Sequence, residues 1–195
     1  MLLAAFASLR WGEVTALKRC DMDIAAGTVR VRFAYAEQDN GKMLLGPPKS
    51  RAGRRTVGIP AGIIPDLVAH LAKYTKHDDN ALVFTGIKGD PLRRSGFNKL
   101  TRWVDVVRTM GVPGLHFHDL RHTGNTLAAD MGVSRRNLMT RMGHDNERAA
   151  LIYQHASSQA DRKIADGLDA LLGEHRSTPA SDQDDEDGTD GLMAR

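Results

Sequence analysis

Apolar residues change their period twice along this chain, from helical spacing to alternation and back, and that limits the fold more than any single residue does. Ala4 to Leu17 reads as one helix with Leu9, Val14 and Leu17 on its core face. Thr28 to Tyr35 (TVRVRFAY) then alternates with period two and predicts a strand. Met43–Leu45 and Arg54–Ile59 predict two more strands, joined by the turn-rich GPPKSRAG. After Pro60 the helical period returns in Ile63–Tyr74, Ser95–Met110 and His118–Met131, with a short strand at Leu82–Phe84. Ser134 caps a helix that ends at Met142 before Gly143, Asn146 caps another that contains Tyr153, and Asp161–Leu172 closes the periodic region. The expected class is α+β and mainly α-helical, with a small three-stranded antiparallel sheet near the N-terminus packed on a helical domain.

That domain is expected to span residues 1–173. Beyond it, Ser, Thr, Asp and Gly dominate without periodicity, so 174–195 is expected to be a disordered acidic tail. The formal charge of +3 conceals this division: seven acidic and two basic residues give the tail −5, leaving +8 on residues 1–173. A basic body suits a polyanionic partner, nucleic acid above all. The one cysteine, Cys20, excludes an internal disulfide framework and a Cys-rich zinc site, and it fits a reducing cytoplasm. No run approaches the ~18 apolar residues of a membrane span, so no membrane partner is expected.

Four segments carry reactive side chains: SLRWGE at 8–13, PPKSRAGRR at 47–55, HDLRHT at 118–123, and MGH with IYQH at 142–144 and 152–155. Singly, each has an ordinary explanation. Arg10 and Glu13 are spaced to pair across one helical turn, Lys49 is a lysine on a turn, and His144 follows a helix end. His118 and His122 have an i,i+4 spacing that suits zinc, but no third ligand is indicated, and neither a metal nor a cofactor is expected. Trp11 and Trp103 sit in amphipathic helices and are read as core. His116 is assigned no role.

In their order along the chain, Arg10, Lys49, His118 with Arg121, His144 and Tyr153 resemble the tyrosine recombinases, or phage integrases. The intervals of 23 residues from Arg121 to His144 and 9 from His144 to Tyr153 suit that family, as does Tyr-Gln-His. The resemblance covers residues 2–173 and implies a fold like that of tyrosine recombinase and type IB topoisomerase catalytic domains. It implies Tyr153 as the nucleophile on a DNA phosphate, Arg10 and Arg121 as its cationic clamp, and His118 as an aid to proton transfer. His144 would hydrogen-bond the phosphate, and Lys49 would protonate the departing 5′-oxygen. Glu13 and His122 are expected behind the arginines, and Arg51, Arg54 and Arg55 on DNA phosphates.

The implied partners are double-stranded DNA and, on it, a homotetramer; an accessory DNA-bending or excision factor is left open. Ser8 stands where glycine is usual before Leu-Arg, and Met142 where leucine is usual before Gly-His; neither removes a reacting group. Met1 falls inside the first helix of the resemblance, so the chain is expected to lack N-terminal DNA-binding domains and to hold DNA weakly and unselectively. The leading expectation is site-specific recombination, the integration or excision of a phage or mobile element. Three other readings stay open: an inactive DNA-binding remnant, a type IB topoisomerase, and a helical transcription regulator. The last has no use for Arg10, Lys49 and Tyr153 together.

Overall fold

The computed structural model describes residues 1–144; Tyr153, the helices expected around and after it, and the acidic tail lie outside the described residues. The expected first helix is divided into α1 (Leu2–Phe6) and α2 (Trp11–Thr15). Between them Ser8 takes a left-handed φ of 56°. That bend lets Leu3, Ala4, Ala7, Leu9, Val14 and Leu17 all enter the core, which one straight helix with a single apolar face would not do. It also leaves Arg10 in extended geometry as the N-cap of α2, outside the helical ladder.

A left-handed serine costs roughly 1–2 kcal/mol, against which glycine loses about 0.5–1 kcal/mol of extra unfolded-chain freedom. Ser8→Gly is therefore expected to stabilise the protein by up to about 1 kcal/mol, raising Tm by about 2–4 °C in a melting experiment. An unchanged or lower Tm would show that Ser8 makes contacts worth more than its strain.

Alternation in 28–35 is real but serves two sheets. β1 (Met22–Asp23), β2 (Thr28–Val31) and β5 (Arg55–Gly58) form a three-stranded antiparallel sheet with β2 central, whereas β3 (Ala34–Glu37) and β4 (Met43–Gly46) form a separate antiparallel ribbon. The chain turns between the sheets at Arg32 and Phe33, where the Arg32 guanidinium is held by Asp21 at 2.5 Å. The ribbon lies on α2 so closely that a Cβ on Gly12 would stand 2.3 Å from the Tyr35 carbonyl oxygen. Only glycine fits there. Leu82–Phe84 is not a strand: Leu82 makes a single bridge, to Lys18.

α3 (Ile64–Tyr74) contributes Leu67 and Leu71 to the core cluster that also holds Val29, Val31 and Val57. The helix expected over 95–110 is two, α4 (Arg94–Thr101) and α5 (Trp103–Thr109), separated by a left-handed Arg102. Residues six apart on a continuous helix point about 120° apart. The break instead brings Trp103 to 5.5 Å from Phe97, centroid to centroid, in a second core cluster with Phe117, and the Trp103 indole donates to the Leu115 carbonyl. α6 (Phe117–Asp130) and α7 (Arg135–Met142) follow. Ser134 accepts from the Asn137 amide at the start of α7, and Gly143 closes it with φ 64°. These two caps stand where the sequence predicts them. Among the described residues no helix is long and apolar enough to cross a membrane.

Candidate active site

At the C-terminus of α7 three consecutive carbonyl oxygens each receive one arginine. Arg55 Nε donates to Arg141 at 2.8 Å, Arg121 Nη2 to Met142 at 2.6 Å, and Arg10 Nη2 to Gly143 at 3.1 Å. Cations are favoured here because the last carbonyls of a helix carry the negative end of its dipole. Four segments distant in sequence thereby meet: the start of α2, strand β5, the middle of α6 and the end of α7.

The counter-charge inside this cluster is Glu13, 1% exposed. Each of its oxygens takes one bond from each of two arginines. Oε1 accepts from Arg10 Nη1 at 2.9 Å and Arg55 Nη1 at 3.2 Å; Oε2 accepts from the Arg10 amide at 2.9 Å and Arg55 Nη2 at 3.0 Å. Burial alone would raise the Glu13 carboxyl, but the bonds and charges of Arg55 and then Arg10 outweigh it and hold its pKa below the usual value. Glu13 is ionised at neutral pH.

α6 supplies the next pair. Phe117, Arg121 and Asn125 recur every four residues on its buried face, which carries Arg121 inward at 2% exposure. His118 is exposed at the first turn, its ring 4.6 Å from that of His122 in an edge-to-face arrangement. Loss of part of its water shell, and then the charges of His122 and Arg121, lower the His118 pKa below 6.5, so it is neutral at pH 7 and able to take a proton. His116, without a role from sequence, opens this helix: its amide donates to the Asp119 carboxylate at 2.7 Å.

His144 follows Gly143 directly. Arg121 Nη2 stands 3.3 Å from its Nε2, which accepts in the neutral ring and leaves the proton on Nδ1. Among the described residues Nδ1 has no hydrogen-bond partner although it is buried. Burial first, then the charges of Arg121, Arg10 and Arg55, push the His144 pKa down to about 4. The unfolded chain, with an ordinary value of 6.5, binds this proton before the folded one does. The resulting stability is full above pH 6.5 and is lost as pH falls through about 4. Thermal midpoints across this interval should fall less steeply in His144→Gln than in the parent; equal slopes would contradict a buried neutral His144.

Lys49 is exposed on the turn between β4 and β5. Its neighbour Ser50 docks that turn, donating Oγ–H to the Gly143 carbonyl at 3.0 Å. Arg51 and Arg54 are exposed, and Arg54 lines a cleft of about 750 Å³ with Arg135, Arg136, Thr140 and His144.

Arg55 departs from the sequence expectation. Its five N–H groups are all used, by both Glu13 oxygens and by the carbonyls of Ser8, Gly53 and Arg141. A guanidinium so committed has no N–H group left over for a DNA phosphate. The signal was period two: Arg55, Val57 and Ile59 share one face of the strand, and Val31 stands opposite Arg55 in register. Ser50, missed from sequence, carried no such signal.

Residues 1–160 match the model of the phage integrase family. A prophage phiRv2 integrase of Mycobacterium tuberculosis is 40% identical over 172 residues, 88% of this chain and 45% of that protein. The integrase of Mycobacterium phage D29 is 33% identical over 174 residues, 88% of this chain and 46% of that one. The chain spans about half the length of these curated relatives. Among solved structures, the Tn1549 transposon integrase in complex with circular intermediate DNA superposes with TM-score 0.70 at 20% identity, over 86% of this chain and 57% of that one. XerA recombinase gives 0.61 at 21%, over 91% and 55%. Motif order, fold and family match agree: this chain belongs to the phage integrase family and has the fold of a tyrosine recombinase catalytic domain.

Proposed function

We propose that this chain carries out the strand cleavage and rejoining of site-specific DNA recombination, serving the integration or excision of a phage or other mobile element. The observation that carries the proposal is the seating of Arg10 and Arg121 on adjacent carbonyls, Gly143 and Met142, beside a neutral His144. A phosphodiester under attack gathers negative charge on its non-bridging oxygens, and two fixed guanidiniums offset that charge without reorganising. The Nδ1–H of His144, which has no partner among the described residues, would be a further donor to such an oxygen.

In this reading Tyr153 attacks phosphorus, forms a 3′-phosphotyrosine bond and breaks the bond to the 5′-oxygen. The phenol proton passes towards His118, and Lys49 protonates the departing 5′-oxygen. A 5′-hydroxyl from a second strand then attacks the phosphotyrosine and regenerates Tyr153, so bond energy is conserved and no cofactor is needed. Arg51, Arg54 and the cleft beside His144 would hold neighbouring DNA phosphates, positioning the duplex without reading its sequence. Glu13 and His122 would support Arg10 and Arg121. The catalytic domain is taken as 1–173 with an acidic tail at 174–195, acting in the cytoplasm as a homotetramer on double-stranded DNA.

A nicked duplex that loses its 5′-hydroxyl fragment on cleavage traps the covalent intermediate. The parent is expected to accumulate a protein–DNA adduct, and Tyr153→Phe to bind the duplex equally and form none. Binding without an adduct in the parent would replace this proposal with the non-catalytic remnant. Relaxation of supercoils without strand exchange would favour topoisomerase action.

A further inference from the structure

We infer that Arg55 is a positioning residue whose buried guanidinium assembles the catalytic cluster by fixing Glu13, and through it Arg10, against the end of α7. The inference deepens the proposed recombination chemistry and rests on it for the catalytic roles of Arg10 and His144. Arg55 touches all the segments that must converge except α6. Ser8, whose carbonyl it holds at 3.1 Å, lies two residues before Arg10; Gly53, held at 2.9 Å, ends the turn that carries Lys49; Arg141, held at 2.8 Å, lies three before His144. The fit is close from above as well: a Cβ on Gly143 would stand 2.8 Å from Arg55 Nη1. A planar guanidinium fills this slot with five directed donors, whereas lysine offers three from one point.

Arg10 is reached through Glu13. Its Nη1 and its amide both donate to that carboxylate, while its Nη2 reaches Gly143. Without Arg55 the buried carboxylate keeps one cationic partner instead of two. Its proton affinity then rises, and once protonated it no longer anchors Arg10 as an anion. The charged and titratable groups facing Glu13 are Arg10, Arg55 and, from the end of α7, His144; Arg121 acts on His144, and Arg141 on Arg55.

The test uses the full chain and four variants: Arg55→Lys, Arg55→Met, Glu13→Gln, and Arg55→Met combined with Glu13→Gln. Two quantities are followed from about pH 5 to about pH 9: the rate of adduct formation on a nicked duplex, and the Glu13 carboxyl titration by carbon NMR. Arg55→Lys and Arg55→Met should each lower the rate roughly 10- to 100-fold at neutral pH with duplex affinity nearly unchanged. Their Glu13 should titrate higher than in the parent, and an acid limb in the rate should move up with it. The double variant, which lacks the buried carboxylate, should show no such limb and be no faster than Arg55→Met, because Arg10 has lost the anion that anchors it. Arg55 variants with the parent's rate and pH profile, or with rate lost only in proportion to unfolded protein, would overturn the inference. If the parent forms no adduct, the recombination reading fails by itself. The NMR titration then decides: Glu13 titrating alike in the parent and in both Arg55 variants overturns the positioning role. Should Arg55→Met fail to fold, Arg55→Lys and the double variant carry the same comparison.

Discussion

Arg121→Ala should lower the rate of covalent DNA cleavage by about 1,000-fold, the upper range for removal of one preorganised donor to a developing anion. The effect is large because Arg121 is built in and cannot be replaced by a neighbour. Its side chain is buried in α6 and fixed by the Met142 carbonyl at 2.6 Å, so a mobile surface lysine would have to displace protein to take its place. Solvent is largely excluded there, which strengthens the field that a fixed charge exerts on a phosphate. The variant should also change His144, because the Arg121 charge is the main electrostatic cause of its low pKa after burial. Its imidazole, followed by NMR, should titrate above about 4 once that charge is gone. A slow variant whose His144 titrates as in the parent would place the loss elsewhere than in the cluster's charge.

Gly124→Ala should be the most damaging single methyl added to the described fold. A Cβ there would stand 1.6 Å from the Ala5 carbonyl oxygen and 2.7 Å from its carbon, so it collides with backbone and no side chain can turn aside. Helix propensity acts the other way: exchanging glycine for alanine inside α6 gains about 1 kcal/mol. Overpacking against a movable neighbour costs about 1–3 kcal/mol, and a backbone obstacle lies at or beyond the top of that range. The collision wins by about 2 kcal/mol or more, and Tm is expected to fall by at least roughly 4–8 °C in a melting experiment. Activity should fall further than stability explains, since α1 leads to Arg10 and α6 carries His118 and Arg121. A normal Tm would mean that α1 and α6 separate at little cost, and the close crossing would have no role in fixing the site.

Part of the candidate site was legible in the sequence because several of its residues share one periodic element. His118, Arg121 and His122 follow from i, i+3 and i+4 spacing on one helix, and His144 from a glycine that ends another. The bends were less visible. Nothing local in Ala4–Leu17 or Ser95–Met110 marks a break; tertiary packing imposes it, on Ser8 so that Leu3 and Leu9 share a core and on Arg102 so that Trp103 meets Phe97. Glycine being usual at position 8 was a hint whose physical meaning, a left-handed φ, appears only with the fold. Arg55 shows the opposite failure: its charge suggested DNA, while the alternation of its own strand already pointed it inward. Tyr153 lies outside the described residues, so its role stands on sequence and family.

The central claim is that Arg10 and Arg121 act by neutralising the non-bridging oxygens of the scissile phosphate, and its most direct test removes that charge from the DNA. A nicked duplex with a methylphosphonate at the cleavage position carries no charge there to offset. Arg10→Ala and Arg121→Ala are predicted to form adducts on it within about tenfold of the parent, although each is about 100- to 1,000-fold slower on the phosphate. Tyr153→Phe should remain inactive on both. Equal losses for the arginine variants on the two substrates would contradict the claim, because their guanidiniums would then matter for something other than the phosphate's charge.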